Sequence, residues 1–128
     1  MPETNSSAPP KSSTNVLVVE DEMVLRLRAV DIVEDAGFTA VEAVNADEAL
    51  AILEERSDIA LLFSDIQMPG SMNGLGLAHW ITETLPDVKV LLTSGQVLPA
   101  AAREWTLLAK PYDMAEVERR LRDMTAQN

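Results

Sequence analysis

Val16-Leu17-Val18-Val19-Glu20-Asp21-Glu22 is a short, β-branched apolar run that ends abruptly on three carboxylates. Four consecutive apolar residues bounded by charge read as a strand buried on both faces, as in a parallel sheet. The pattern recurs downstream. Ile59 to Phe63 is followed by Ser64-Asp65, Val88 to Leu92 by Thr93-Ser94-Gly95, and Thr106 to Ala109 by Lys110-Pro111. Phe38 to Val44 reads as a further strand, with less continuous apolar positions, as expected nearer a sheet edge. Helical stretches lie between these runs. Asp21 to Ala36 is stopped by Gly37, a common residue just past a helix end. Asn45 or Ala46 opens a helix through Glu55, with Asp47 and Glu48 in the first turn, where the helix dipole favours them. Gly74 to Thr84 is closed by Leu85-Pro86, and Tyr112 to Met124 is a final amphipathic helix. Gln67 to Asn73, with Pro69 and Gly70, is a loop, and Pro99 to Trp105 a short helix or turn. Strands alternating with helices in this way predict an α/β fold, a parallel sheet with helices on both faces and right-handed crossovers.

Composition sets the limits. The chain has 128 residues, 47% hydrophobic and 24% charged, which suits one soluble domain with a real core. Its net charge of −11 argues against binding nucleic acid through phosphates. It has no cysteine, and His79 is its only histidine, so disulfides, thiolate metal sites and His-Cys zinc sites are excluded. No apolar run approaches the roughly 20 residues that span a membrane, and the start lacks a secretory pattern. A cytoplasmic location is expected, with no membrane contact. Residues 1–15, MPETNSSAPPKSSTN, hold three of the seven prolines and read as a disordered tail that opens a complete gene product. Residues 16–128 form the domain.

In sheets of this kind, ligands bind at the carboxyl ends of the strands. The residues there are Glu20-Asp21-Glu22, Ser64-Asp65, Thr93-Ser94-Gly95 and Lys110-Pro111. Each motif alone has an ordinary explanation: an acid after a strand caps a helix, Thr-Ser-Gly makes a turn, and Lys-Pro says little. Together they bring carboxylates, a hydroxyl and an ammonium to one region. Clustered carboxylates repel unless they share a proton or bind a cation. Oxygen ligands suit Mg²⁺. A carboxylate can attack phosphorus and form an aspartyl phosphate. Phosphoryl transfer then needs neutralisation of the equatorial oxygens, which a cation, the Lys110 ammonium and the Thr93 hydroxyl supply. The set is that of a phospho-accepting aspartate.

The stretches VLVVEDE (Val16–Glu22), LLFSDIQMPG (Leu61–Gly70), VLLTSG (Val90–Gly95) and LAKPY (Leu108–Tyr112) resemble the receiver domains of two-component response regulators. The resemblance covers everything after the tail. It implies a doubly wound, flavodoxin-like sheet of five strands in the order 2-1-3-4-5. It also implies Asp65 as phosphoacceptor, and Mg²⁺ bound by Asp21, Glu20, Asp65 and the backbone carbonyl of Gln67. Thr93 and Lys110 would contact the phosphoryl group, and the Lys110-Pro111 bond would be cis. The implied donor is a histidine kinase or a histidine phosphotransfer protein. The implied output is a conformational switch read by a protein target, and not enzymatic turnover beyond slow autodephosphorylation.

Three features depart from that pattern. Leu107 stands where the family usually has an aromatic residue three before the lysine; Trp105 and Tyr112 are candidates to replace it. Thr93 and Lys110 are closer in sequence than usual, which leaves room only for a short or irregular helix. The loop DIQMPGSMNG is one residue longer than in common members and resembles receivers attached to hybrid histidine kinases, so a kinase-attached receiver or a phosphate sink is the alternative.

Other classes fit less well. A phosphatase with an aspartyl-phosphate intermediate needs an acid two residues past the nucleophile, where Gln67 stands. A flavin carrier needs a phosphate-binding loop where Glu20-Asp21-Glu22 would repel phosphate. A receiver that only binds proteins would not need the full polar set. His79 reads as a surface or half-buried residue, and Met68 and Met72 as packing. Met23, Val24, Leu25, Leu27, Val30, Ile32 and Val33 exceed the single stripe that faces a sheet. Either the helix has a broad buried face, or its surplus docks a helix of the phosphodonor, with Leu27 and Val30 as test positions. Glu116–Arg120 is an expected surface pair in the last helix.

Overall fold

A computed structural model describes residues 14–95 and 104–126. Five parallel strands form its sheet: β1 (Asn15–Val19), β2 (Thr39–Ala43), β3 (Ile59–Asp65), β4 (Lys89–Ser94) and β5 (Thr106–Ala109), in the order β2-β1-β3-β4-β5. Four helices are described: α1 (Met23–Asp35), α2 (Ala46–Glu55), α3 (Gly74–Thr84) and α4 (Met114–Thr125). The 2-1-3-4-5 order is thus the observed one.

The two-residue period of the strands sorts their side chains onto two faces. Leu17, Val19, Leu62 and Leu92 pack with Leu53 of α2 and Leu77 and Ile81 of α3. Val16, Val18, Leu61, Phe63 and Leu91 pack with Ala29, Ile32 and Val33 of α1 and Val117 and Leu121 of α4. Met68 and Met72 pack against the first cluster, as their sequence context predicts. β2 is the less buried edge strand.

Every helix starts where a strand-to-helix loop returns from the carboxyl edge. Glu22, Asn45, Asn73 and Asp113 cap α1 to α4, each accepting from a backbone N–H three residues on. Such caps contribute about 1 kcal/mol each. At the other end of α1, Gly37 takes φ +98°. Its N–H reaches the Glu34 carbonyl and that of Phe38 the Val33 carbonyl, a Schellman closure that needs a left-handed residue.

Several boundaries move. The ordered ladder begins at Asn15, inside the stretch expected to be tail, because Asn15 pairs with Thr39 and its side chain donates to Asp58. Residues 1–13 lie outside the described residues. β3 and β4 run two residues past their apolar runs, so Ser64, Asp65, Thr93 and Ser94 are ladder residues and not loop residues. α1 starts at Met23, after its Glu22 cap, and α4 at Met114, after Asp113. Of Pro99–Trp105, only Glu104 and Trp105 are described, so the expected fourth-helix segment lies outside the described residues. In α4 the ion pair is Glu118–Arg122 at 2.8 Å and not the expected Glu116–Arg120; Arg122 also reaches the Ala36 carbonyl, which fixes its direction.

Candidate functional site

β1, β3, β4 and β5 deliver the polar residues to the carboxyl edge of the sheet. Glu20 follows β1, and its N–H still bonds the Ala43 carbonyl of β2. Asp65 ends β3 and lies opposite Thr93 in the ladder. Two hydrogen bonds extend this edge, from Ile66 N–H to the Thr93 carbonyl and from Lys110 N–H to the Ser94 carbonyl. The Lys110-Pro111 bond is cis.

The Lys110 ammonium donates to Asp65 Oδ2 at 3.0 Å and to Glu20 Oε1 at 3.1 Å. Glu20 Oε2 accepts from the Glu22 N–H. Asp65 Oδ1 is buried and has no hydrogen-bond partner among the described residues. Ligand oxygens of Glu20, Asp21 and Asp65 lie within 4.8 Å of one another, with Glu20 and Asp65 buried and Asp21 exposed. Thr93 is buried in the same edge. Gln67 sits two residues past Asp65, and its side-chain oxygen accepts from the Ser94 hydroxyl at 2.9 Å. The predicted residues are therefore neighbours.

Burial pushes the Glu20 carboxyl above its usual range, and the Glu22 amide and Lys110 pull it only partly back. Its contribution to stability is therefore full when protonated and lost as pH rises through the folded value, so at neutral pH the charged form is held at a cost. Burial alone would lower the Lys110 ammonium, but its hydrogen bonds to Asp65 and Glu20 outweigh that and raise it. Lys110 stabilises at neutral pH and loses this role only in alkali. Three carboxylates against one ammonium leave two negative charges. The donor set, the excess charge and the unpartnered Asp65 oxygen all fit a divalent, oxygen-preferring cation.

Sequence reasoning missed Arg26, and gave Ser94, which it placed at the same edge, no partner. Arg26 donates to the Glu20 carbonyl at 3.0 Å and to Glu42 of β2 at 3.1 Å. Leu107 and Trp105 pack on the α2/α3 face, and Trp105 Nε1 donates to Thr82. Tyr112 packs on the opposite face against Phe63, where burial raises its phenol. Trp105 thus shares the sheet face of Leu107, and Tyr112 lies on the other. His79 is exposed, edge-on to Trp105.

A doubly wound parallel sheet with an acidic pocket and a lysine at its carboxyl edge defines the receiver class of signalling domain. Residues 16–122 match the response regulator receiver domain family, and the chain belongs to it. It is 33% identical over 119 residues to the sensor kinase CckA of Brucella abortus (strain 2308), covering 88% of this chain but only 12% of that kinase. It is 30% identical over 115 residues to the response regulator receiver protein CpdR of the same organism, covering 85% of this chain and 94% of CpdR. Among solved structures, the receiver domain of the hybrid histidine kinase CckA superposes with TM-score 0.73 at 32% identity, over 86% of this chain and 97% of that one. TrrA of Thermotoga maritima, solved in complex with Mg²⁺-BeF, gives TM-score 0.79 at 23% identity, over 87% and 98%, a likeness of fold. Among the described residues, no helix is long and apolar enough to cross a membrane.

Proposed function

We propose that the chain is a phosphorylation-switched receiver that takes a phosphoryl group onto Asp65. The observation that carries this reading is the buried, unpartnered Asp65 Oδ1 beside an oxygen held by Lys110. The donor is a phosphohistidine on a histidine kinase or phosphotransfer protein. A carboxylate oxygen of Asp65 forms the new P–O bond, the P–N bond breaks, and the departing imidazole takes up a proton. Glu20, Asp21, Asp65 and the Gln67 carbonyl would hold Mg²⁺. When bound, the ion neutralises charge on the phosphoryl oxygens. Lys110 supplies a second cation from just past the end of β5, and the Thr93 hydroxyl donates to a phosphoryl oxygen. The resulting switch is read by a protein partner in the cytoplasm. The domain acts as a phosphoacceptor that loses its phosphate slowly to water, and not as a turnover enzyme.

The test is intact mass after incubation with acetyl phosphate. Wild type is expected to gain one phosphoryl group with Mg²⁺ and none without it, and Asp65→Asn none in either case. A gain that survives Asp65→Asn would place the acceptor elsewhere.

The donor surface follows from α1. Met23, Val24 and Leu27 are exposed, whereas Val30 packs against the core and is unsuited to the test that its sequence position suggested. Leu27→Glu is expected to leave unfolding free energy within about 0.5 kcal/mol of wild type. It should slow transfer from a phosphohistidine protein but not from acetyl phosphate. Equal slowing with both donors would remove α1 from donor recognition.

A further inference from the structure

We infer that Arg26 is a positioning residue for the acidic pocket, fixing the peptide plane between Glu20 and Asp21 from the far side of the site. This rests on the reading of Glu20, Asp21 and Asp65 as a Mg²⁺ site. Arg26 lies in the second turn of α1, and its side chain is 14% exposed. Its Nη1 donates to the Glu20 carbonyl at 3.0 Å, and its Nε donates to Glu42 Oε1 at 3.1 Å. Glu42 belongs to β2, which pairs directly with β1. The guanidinium therefore ties α1, β2 and the end of β1 to one carbonyl.

That carbonyl is the one that matters for geometry. The Glu20 N–H is still committed to the ladder, but β1 ends at Val19, so the Glu20 carbonyl has left it. The plane carrying that carbonyl also carries the Asp21 N–H. Its rotation sets the angle between the departing side chains of Glu20, which is buried, and Asp21, which is exposed. A rigid guanidinium fork, itself fixed by Glu42, removes that rotation; a lysine, with a single flexible head, cannot span both acceptors equally well. Residues that hold ligands in this way typically account for about tenfold or more in metal affinity.

Charge alone predicts the opposite sign. Arg26 is a cation near an acidic pocket, so deleting it should tighten Mg²⁺ binding by simple Coulomb attraction. Loss of positioning should weaken it. The experiment is isothermal titration of the full chain with Mg²⁺, without phosphodonor, alongside urea unfolding in metal-free buffer. Arg26→Met is expected to raise the Mg²⁺ Kd about tenfold, with Arg26→Lys between it and wild type. Arg122→Met is the control: Arg122 bonds the Ala36 carbonyl at the other end of α1, so its loss should lower stability and leave Kd unchanged. An Arg26→Met protein that unfolds more easily but binds Mg²⁺ as well as or better than wild type would overturn the positioning role and leave an α1–β2 staple. A wild type that binds no Mg²⁺ would remove the site reading itself, and this role with it.

Discussion

Lys110→Met is expected to slow phosphorylation of Asp65 by acetyl phosphate by about two to three orders of magnitude, the usual cost of removing one preorganised donor from developing charge. The ammonium contacts both Asp65 and Glu20, so its loss also strands two buried carboxylates. Breaking a fully buried pair costs about 3–5 kcal/mol. The Lys110 side chain is 18% exposed, so water screens part of this and a loss of about 2 kcal/mol is expected. The sign with pH is fixed. Glu20 is already raised by burial, and without Lys110 it rises further. The folded state of the variant therefore binds protons more tightly than the unfolded chain. Its deficit should be largest at neutral pH and shrink as pH falls toward the ordinary carboxylate range. Urea midpoints at neutral pH and at about pH 5 read this directly. A deficit that does not change with pH would mean that Lys110 acts there through packing.

The second large effect comes from a residue with no side chain. Gly74 opens α3, and its N–H bonds the Ile66 carbonyl. A Cβ at Gly74 would overlap the Asp65 carbonyl oxygen and come within 2.8 Å of Ile66 Cα. Both neighbours are backbone, so neither can swing aside. Gly74→Ala must push α3 away from β3 or drag the end of β3, and with it Asp65. A loss of about 3 kcal/mol is expected, at the upper end for overpacking, together with slower phosphorylation. Gly76→Ala is the comparison. Its Cβ would meet the Met72 side chain, which can repack, and helix propensity favours alanine by about 1 kcal/mol. Gly76→Ala should therefore stay close to wild type. If the two variants are equally stable, the contact between α3 and the end of β3 is not the constraint described.

The sheet was legible because its strands are buried on both faces, and residues such as Leu61 and Leu62 leave an unbroken apolar signature. That signature stops at Phe63 and Leu92, whereas the ladder continues through Asp65 and Ser94. Backbone hydrogen bonds carry no side-chain mark, so the last two residues of β3 and of β4 read as lying just past the strand ends. The candidate site was legible for the same reason: Glu20, Asp65, Thr93 and Lys110 stand where apolar runs give way to polar residues. Arg26 left no such trace. It is one of two arginines in the same stretch of helix, and only the pose of α1 against β2 shows which one turns inward to Glu20. Glu118–Arg122 and Glu116–Arg120 have the same spacing. The choice between them depends on the Ala36 carbonyl, a partner 86 residues away.

Glu20 and Lys110 meet across 90 residues of chain. During synthesis, the acidic half of the pocket leaves the ribosome well before its cation. Until β5 and α4 emerge, Asp65 has neither its lysine nor the Val117 and Leu121 side chains that close the face beneath it. A nascent chain that lacks β5 therefore carries Asp65 and Glu20 without their shared ammonium. In the proposed switch, readiness to be phosphorylated therefore reports that β5 and α4 have been made and folded.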